Sequence, residues 1–463
     1  MTAVQEKQDL YFKRYADLEK ESATREPSWL REVRRAAIDR FGDLGFPTTH
    51  DEEWRFTNVA PIARTAFGPA QAASDFVEVP ATSSLAWITR CHVLAFVNGR
   101  KGGVRLDGIP SSVTATSLAD ALRGARSSRV EPHLARYASS QDHAFVALNT
   151  ALFEDGALIE VAPNTVLEKP LVLLCLTVGG DEPAMTHPRS LIVVGAGAQA
   201  SFVEIHLGVP AKVEPAIPYF TNAVTELVAG ANAVVDYTRV QQETEHGYHI
   251  GIVQTEQARS STVTTHSIAL GGRLDREEVR AVLNGEGAEA VLNGLYVIGG
   301  HQHVDNHTLI DHAKPHCASR EVYKGVLDGH AGGVFNGKIA VRKDAQKTDS
   351  KQSNKNLLLS ENATINTKPQ LEIYADDVKC THGATIGQID AEAVFYLRSR
   401  GIGLAEARNL LIRAFADDIL NRIKFEPLRA SLRETLAHRL DKTPAAGQSE
   451  IAGERLSLIE EGK

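Results

Sequence analysis

The chain has 463 residues, 43% of them hydrophobic, with 50 basic against 58 acidic side chains and a net charge of −8. That length allows about three domains or one elongated domain with appendages, the apolar share excludes wholesale disorder, and the acidic balance argues against nucleic acid as a partner, because phosphate binding needs clustered positive charge. The four cysteines, Cys91, Cys175, Cys317 and Cys380, form no CxxC pair, which excludes a disulfide scaffold and argues against a thiolate zinc site built from this chain alone.

The N-terminus is charged and lacks the apolar core of a signal peptide. The longest strongly apolar run, Leu171 to Val178, is far short of the ~20 residues a membrane helix needs. A soluble, cytoplasmic protein with no membrane partner is expected. In SWLREVRRAAIDRFG, Trp29, Val33, Ala36, Ala37 and Phe41 fall at helical spacing. Ser28 is the expected N-cap and Gly42 the expected stop. Residues 1–140 read as an N-terminal helical and mixed region.

Residues 145–400 read as the core. Short alternating runs recur there: SFVEIHLGV, ANAVVDYTRVQ, SSTVTTHSIAL, AVLNGLYVIG, HVDNHTLID, REVYKGVLDG, GVFNGKIAVR and QLEIYADD. Each has the period-2 pattern of a strand and is bounded by Gly, Asn or Asp. Many strands with no helical pattern between them suit a β-solenoid or a large β-sandwich. The solenoid is favoured, because one coil per ~25 residues would use the region as one continuous core. Gly-Gly steps at 179–180, 271–272, 299–300 and 332–333 are expected corners. The tract from Arg342 to Asn356, with Lys343, Lys347, Lys351 and Lys355, reads as a solvated loop.

Residues 401–463 read as a C-terminal helical region. Leu404, Ala407, Leu410, Leu411, Ala414, Phe415, Ile419 and Ile423 form one stripe. A second helix from Pro427 sets Leu428, Leu432, Leu436 and Leu440 in an i, i+4 row. A frayed tail is expected after about residue 441.

Chemistry concentrates in two places. His301, His303, His307, His312, His316 and His330 fall within thirty residues, beside Cys317. His301 and His303 are two apart and would share a strand face, which is how a cupin-like metal site begins. The competing reading is a set of hydrogen-bonded or surface histidines on successive coils. The second place is DDVKCTHGATIG, where Cys380 and His382 would also point to one side of a strand. A thiolate beside an imidazole suits borderline metals and iron–sulfur clusters. Two ligands cannot hold a cluster, so the others would come from another chain. The competing reading is a buried free cysteine beside a hydrogen-bonded histidine. No GxxxxGK[ST] phosphate loop and no GxSxG is present, and Gly195-Ala-Gly197 lacks the dinucleotide pattern. A carbohydrate-active β-helix would need acidic and aromatic groove residues, yet aromatics are only 6% and no carboxylate pair stands out.

Residues 335–402 (FNGKIAVRKDAQKTDSKQSNKN through YLRSRGI) closely resemble the SufB/SufD family of iron–sulfur cluster assembly proteins, and EIYADDVKCTHGATIG is nearer its SufD branch. DEEWRFTNVAPI at 51–62 and FVALNTALFEDGALIEVAP at 145–163 extend the resemblance over most of the chain. It implies a right-handed parallel β-helix flanked by N- and C-terminal helices, and a scaffold rather than an enzyme. It implies pairing with SufB through the β-helix edge and with the ATPase SufC through the C-terminal helices. In the assembled complex, sulfur from a SufE or SufU type donor and iron would form a nascent cluster, transient and absent from the isolated chain. His382 falls on the family's cluster-building histidine at that interface. Cys380 falls on a neighbouring cysteine, the decisive thiolate belonging to SufB. Leu411, Phe415 and Ile419 lie in the SufC-contacting region. Self-pairing of the isolated chain through the same edge is a further expectation.

Overall fold

A computed structural model describes residues 3–22, 25–71, 85–209 and 217–442. Its core is a parallel β-solenoid whose strands alternate between an 11-stranded and a 10-stranded sheet. In the first sheet, Gly247–Gln257, Leu274–Leu283, His303–His312, Gly332–Val341 and Thr364–Ile373 stack in register. In the second, Val234–Gln242, Thr262–Ala269, Glu289–Ile298, Ala318–Leu327, Asp349–Leu358 and Lys379–Gly387 do the same. Leu274 sits beside His303 and His303 beside Gly332, so a coil takes 29 residues there, more than the sequence spacing suggests. The sheets begin before residue 145, with His92–Val97 and Val113–Ser117.

Alternate residues of every strand face the space between the sheets, as a period of two requires. That space is filled by Leu292, Tyr296, Tyr323, Phe335 and Ile339. The aromatic rings need opposing space. A Cβ on Gly294 would lie 2.1 Å from the Tyr323 ring, and one on Gly325 2.2 Å from Tyr296.

Each sheet covers its outer face with helices. On the first sheet, Phe41, Trp54 and Phe145 pack against Phe220, Ile250 and Ile252. On the second, the helices Leu404–Leu420 and Glu426–Lys442 place Ile412, Ala416, Ile419, Leu428, Leu432, Leu436 and Leu440 against Val240, Ile268 and Val326. All four leucines of the i, i+4 row are buried there. Among the described residues, no helix is long and apolar enough to cross a membrane.

Several local expectations change. The helix Ser28–Leu44 has Pro27 as N-cap and stops at Gly45, which adopts φ 63°, not at Gly42. Gly42 instead permits a close approach: a Cβ there would lie 3.0 Å from the Phe12 ring. Phe12 belongs to the helix Ala3–Ser22, which the spacing did not announce. Gly332 and Gly333 open a strand rather than turn a corner. The second half of the tract read as a solvated loop belongs to the strand Asp349–Leu358. The expected frayed tail from 443 onward lies outside the described residues.

Candidate functional site

The solenoid is open at one end. Thr364–Ile373 and Lys379–Gly387 are the last strands of the two sheets, and each is paired on one side only. Apart from Cys380, which is half-buried, every residue of Lys379–Gly387 is exposed. Ile373, Tyr374 and Ile386 are exposed apolar side chains at this end.

Cys380 and His382 both lie on that last strand. Register places Cys380 beside Ser350 and His382 beside Gln352. Ser350, Gln352, Asn354 and Asn356 are the buried, inward-facing residues of their strand, so the Cys380–His382 row continues the inner face of the solenoid to its mouth. Cys380 packs beside Val378 against the apolar interior. Burial raises its thiol pKa above the ordinary value, which keeps the sulfur protonated and weakens it as a ligand. His382 has no further coil above it and is exposed.

Beneath His382 the inner row is polar. Gln352 Nε2 donates to Glu321 Oε2 at 2.7 Å. Burial, only partly offset by Thr308 and Gln352, pushes the Glu321 carboxyl from 4.5 up to about 7. The folded chain therefore holds this proton more tightly than the unfolded chain. The resulting penalty is absent below the ordinary carboxylate pKa and grows as pH rises to about 7. Glu321→Gln is expected to leave stability unchanged at pH 4 and to raise it by about 3 kcal/mol at pH 8. Denaturation curves at the two pH values check this, and equal shifts at both would refute it.

The histidines of 301–330 do not converge. His301 stacks on His330, with centroids 5.0 Å apart and planes at 7°. His303 Nε2 meets the Thr57 hydroxyl at 3.1 Å. His307 Nδ1 meets Asp305 at 2.7 Å. His312 turns inward to Ser319 at 2.9 Å, and His316 occupies a turn at φ 59°. Cys317 is buried, its thiol donating to the Gly285 carbonyl at 3.3 Å. Among the described residues, no group of three or more His, Cys, Asp or Glu could hold a metal ion. His301 and His303 thus share no face, because His301 precedes the strand that His303 opens.

His303 and His307 belong instead to a charged seam between the solenoid and the N-terminal region. Arg276 donates to Asp305 (2.6 Å), Glu278 (2.7 Å) and the Glu53 carbonyl (2.8 Å). Its guanidinium lies 3.7 Å over the Trp54 ring. Thr57 donates to Asp305 at 2.5 Å, and His143 meets Glu278 at 2.9 Å. A cavity of about 240 Å³ opens beside these groups. Single-residue reasoning missed Arg276, Glu278, Asp305 and His143. The available signal was the unbroken charge run Asp275, Arg276, Glu277, Glu278, followed by Arg280, in a strand whose other positions are apolar.

The C-terminal stripe also needs correction. Ile419 is fully buried against the solenoid, and Leu411 is half-buried. Phe415 packs on the same face, its ring 4.4 Å from Lys324 Nζ. Ile419 is therefore not available to a partner. The large apolar side chains left exposed among the described residues of this region are Phe395 and Tyr396, on the helix Ala391–Ser399, with Leu404 and Leu410.

The chain is thus a parallel solenoid with helices on both faces and a Cys–His row on an uncovered terminal strand. Residues 176–415 match the family described as SUF system FeS cluster assembly, SufBD core domain, and residues 3–173 match the SufBD protein N-terminal region. The chain is 35% identical over 424 residues to an iron–sulfur cluster assembly SufBD family protein of Synechocystis sp., covering 89% of this chain and 92% of that one. It is 31% identical over 398 residues to the iron–sulfur cluster assembly protein SufD of Escherichia coli, covering 86% and 90%. It is 27% identical to a chloroplastic protein of Arabidopsis thaliana, covering 87% and 85%. The chain belongs to the SufB/SufD family of iron–sulfur cluster assembly proteins.

Proposed function

We propose that this chain is a non-enzymatic scaffold subunit that closes its open end on a SufB-type chain, carries a SufC-type ATPase on its C-terminal helices, and takes part in iron entry and nascent cluster formation at His382. The open end carries the reading. Two sheets end together there, each with a row of unpaired backbone donors and acceptors, and such edges are normally covered. A partner built from the same coils continues both sheets, and a family chain supplies that shape. Ile373, Tyr374 and Ile386 add apolar area to be buried. The cluster is cargo. It is held between chains because one imidazole and one thiol cannot complete a coordination shell. Cluster reconstitution with SufB and SufC, with and without this chain, tests the reading. Equal yields would overturn it. Ile373→Lys with Ile386→Lys should abolish co-elution with SufB. Isolated chains that elute as a stable dimer would assign the same edge to self-pairing as well.

The ATPase contact is separable from folding. Phe395→Asp and Leu410→Asp alter exposed side chains, so they should leave the melting temperature unchanged and abolish capture of SufC. Ile419→Asp buries a charge and should cost about 3 kcal/mol or more, releasing the C-terminal helices from the solenoid. Undiminished capture by the first two variants would place the ATPase elsewhere.

A further inference from the structure

The two strand edges at the mouth are not equivalent. At the start of Thr364–Ile373, the Thr364 N–H donates to the Ala331 carbonyl at 3.0 Å, and just past its end the Tyr374 N–H donates to the Val341 carbonyl at 2.9 Å. The register between them is unbroken. Successive residues of a strand turn their N–H and C=O to opposite sides, so the even-numbered residues are spent on the strand beneath. Ile365, Thr367, Pro369, Leu371 and Ile373 turn theirs to the free edge. Proline has no N–H, so this edge lacks its central donor. The other edge is complete. The Lys379 N–H donates to the Thr348 carbonyl at 2.8 Å, and the register from Lys379 to Gly387 is again unbroken. The same parity leaves Cys380, His382, Ala384 and Ile386 with both backbone groups at the free edge.

Ile365, Leu371 and Cys380 pack partly into one apolar interior that both edges share. A single added strand would cover one edge and leave the other. A second solenoid mouth of matching section covers both, and two mouths meeting across a two-fold axis bring their edge strands together antiparallel. In an antiparallel ladder, a residue with both backbone groups turned outward exchanges two bonds with the residue opposite. Pro369 only accepts, so the carbonyl opposite it is buried without a donor, which is costly. Proline at such a position is a known protection of a sheet edge against indiscriminate pairing. We propose that Lys379–Gly387 takes a strand of the SufB-type chain in a full antiparallel ladder through Cys380, His382, Ala384 and Ile386, while Pro369 breaks the ladder at the centre of the first sheet's edge. The second edge then sets the register of docking, and with it the place at which His382 meets the partner. This inference rests on the reading of the open end as the face that closes on SufB.

Amide-resolved hydrogen exchange of the full chain, alone and bound to SufB, tests this. The amides of Cys380, His382, Ala384 and Ile386 should slow about a hundredfold or more on binding, and those of Thr367 and Leu371, which flank the break, should slow less. Ala384→Pro removes an outward N–H and leaves the chain's own ladder intact, so it should weaken SufB binding about tenfold or more with an unchanged melting temperature. If that variant melts early, Pro369→Ala decides instead: the restored donor should tighten binding several-fold and bring the protection of Thr367 and Leu371 up to that of the second edge. SufB binding with protection confined to the first edge, or with none at Cys380, His382, Ala384 and Ile386, would overturn the proposal and leave the docking reading standing. Unchanged affinity of Pro369→Ala would also overturn it. Absence of any SufB binding would remove the docking reading and the proposal together.

Discussion

His382→Ala should change folding stability by about 0.5 kcal/mol or less while abolishing cluster formation. The first half follows from position: His382 is exposed on the last strand, and surface substitutions outside special features usually stay within that range. The second half follows from its place at the mouth, where two chains would meet around a shared cargo. Cys380→Ser should behave differently. The sulfur is half-buried beside Val378, and its thiol pKa is raised by burial. Replacement should cost about 1 kcal/mol in packing and polar burial and leave most of the cluster yield. Thermal melts and cluster-dependent growth measured on the same variants separate the two residues. A His382→Ala protein that melts early, or one that supports normal growth, would remove the ligand role.

Arg276→Met should cost about 3–5 kcal/mol, because it strands Asp305 and Glu278 in a buried seam and removes the cation above Trp54. Burial favours the neutral carboxyls, yet Arg276 and the neighbouring histidines hold both Asp305 and Glu278 below the usual carboxylate range. Their contribution is therefore complete at neutral pH and is lost as pH falls through and below the ordinary carboxylate pKa. The gap between parent and Arg276→Met should narrow between pH 5 and about pH 3. His307 acts in the other direction. Burial and Arg276 oppose its charge, but Asp305 and Glu53 outweigh them and raise its pKa. Its contribution is present below about pH 6.5 and fades as pH rises beyond that. Proteolysis of the N-terminal region, followed against pH, reports seam opening directly. Equal losses for parent and variant at every pH would show that the ion pairs add nothing net.

Elements whose signal is local and apolar are legible from the residues alone. Alternation marked HVDNHTLID and REVYKGVLDG as strands. The row Leu428, Leu432, Leu436, Leu440 marked a helix face that is buried as expected. The CTHGATIG motif singled out Cys380 and His382 through family likeness. Where burial is not hydrophobic, the outcome depends on contacts between coils. SKQSNKN reads as a loop because its inward residues are Ser350, Gln352, Asn354 and Asn356. They are buried because the coils beside them supply hydrogen bonds, as Ser319 does for Ser350 and Glu321 for Gln352. Period-2 hydrophobicity carries no trace of partners 31 residues away. The C-terminal stripe was too broad to show its own phase. The outer face of the second sheet selected Ile412, Ala416 and Ile419 and left Leu410 to solvent. The histidines of 301–330 looked like one cluster because they are close in sequence. Coiling carried them to a turn, the N-terminal seam and the solenoid interior, since alternate strand positions face opposite sides and successive segments leave the strand altogether.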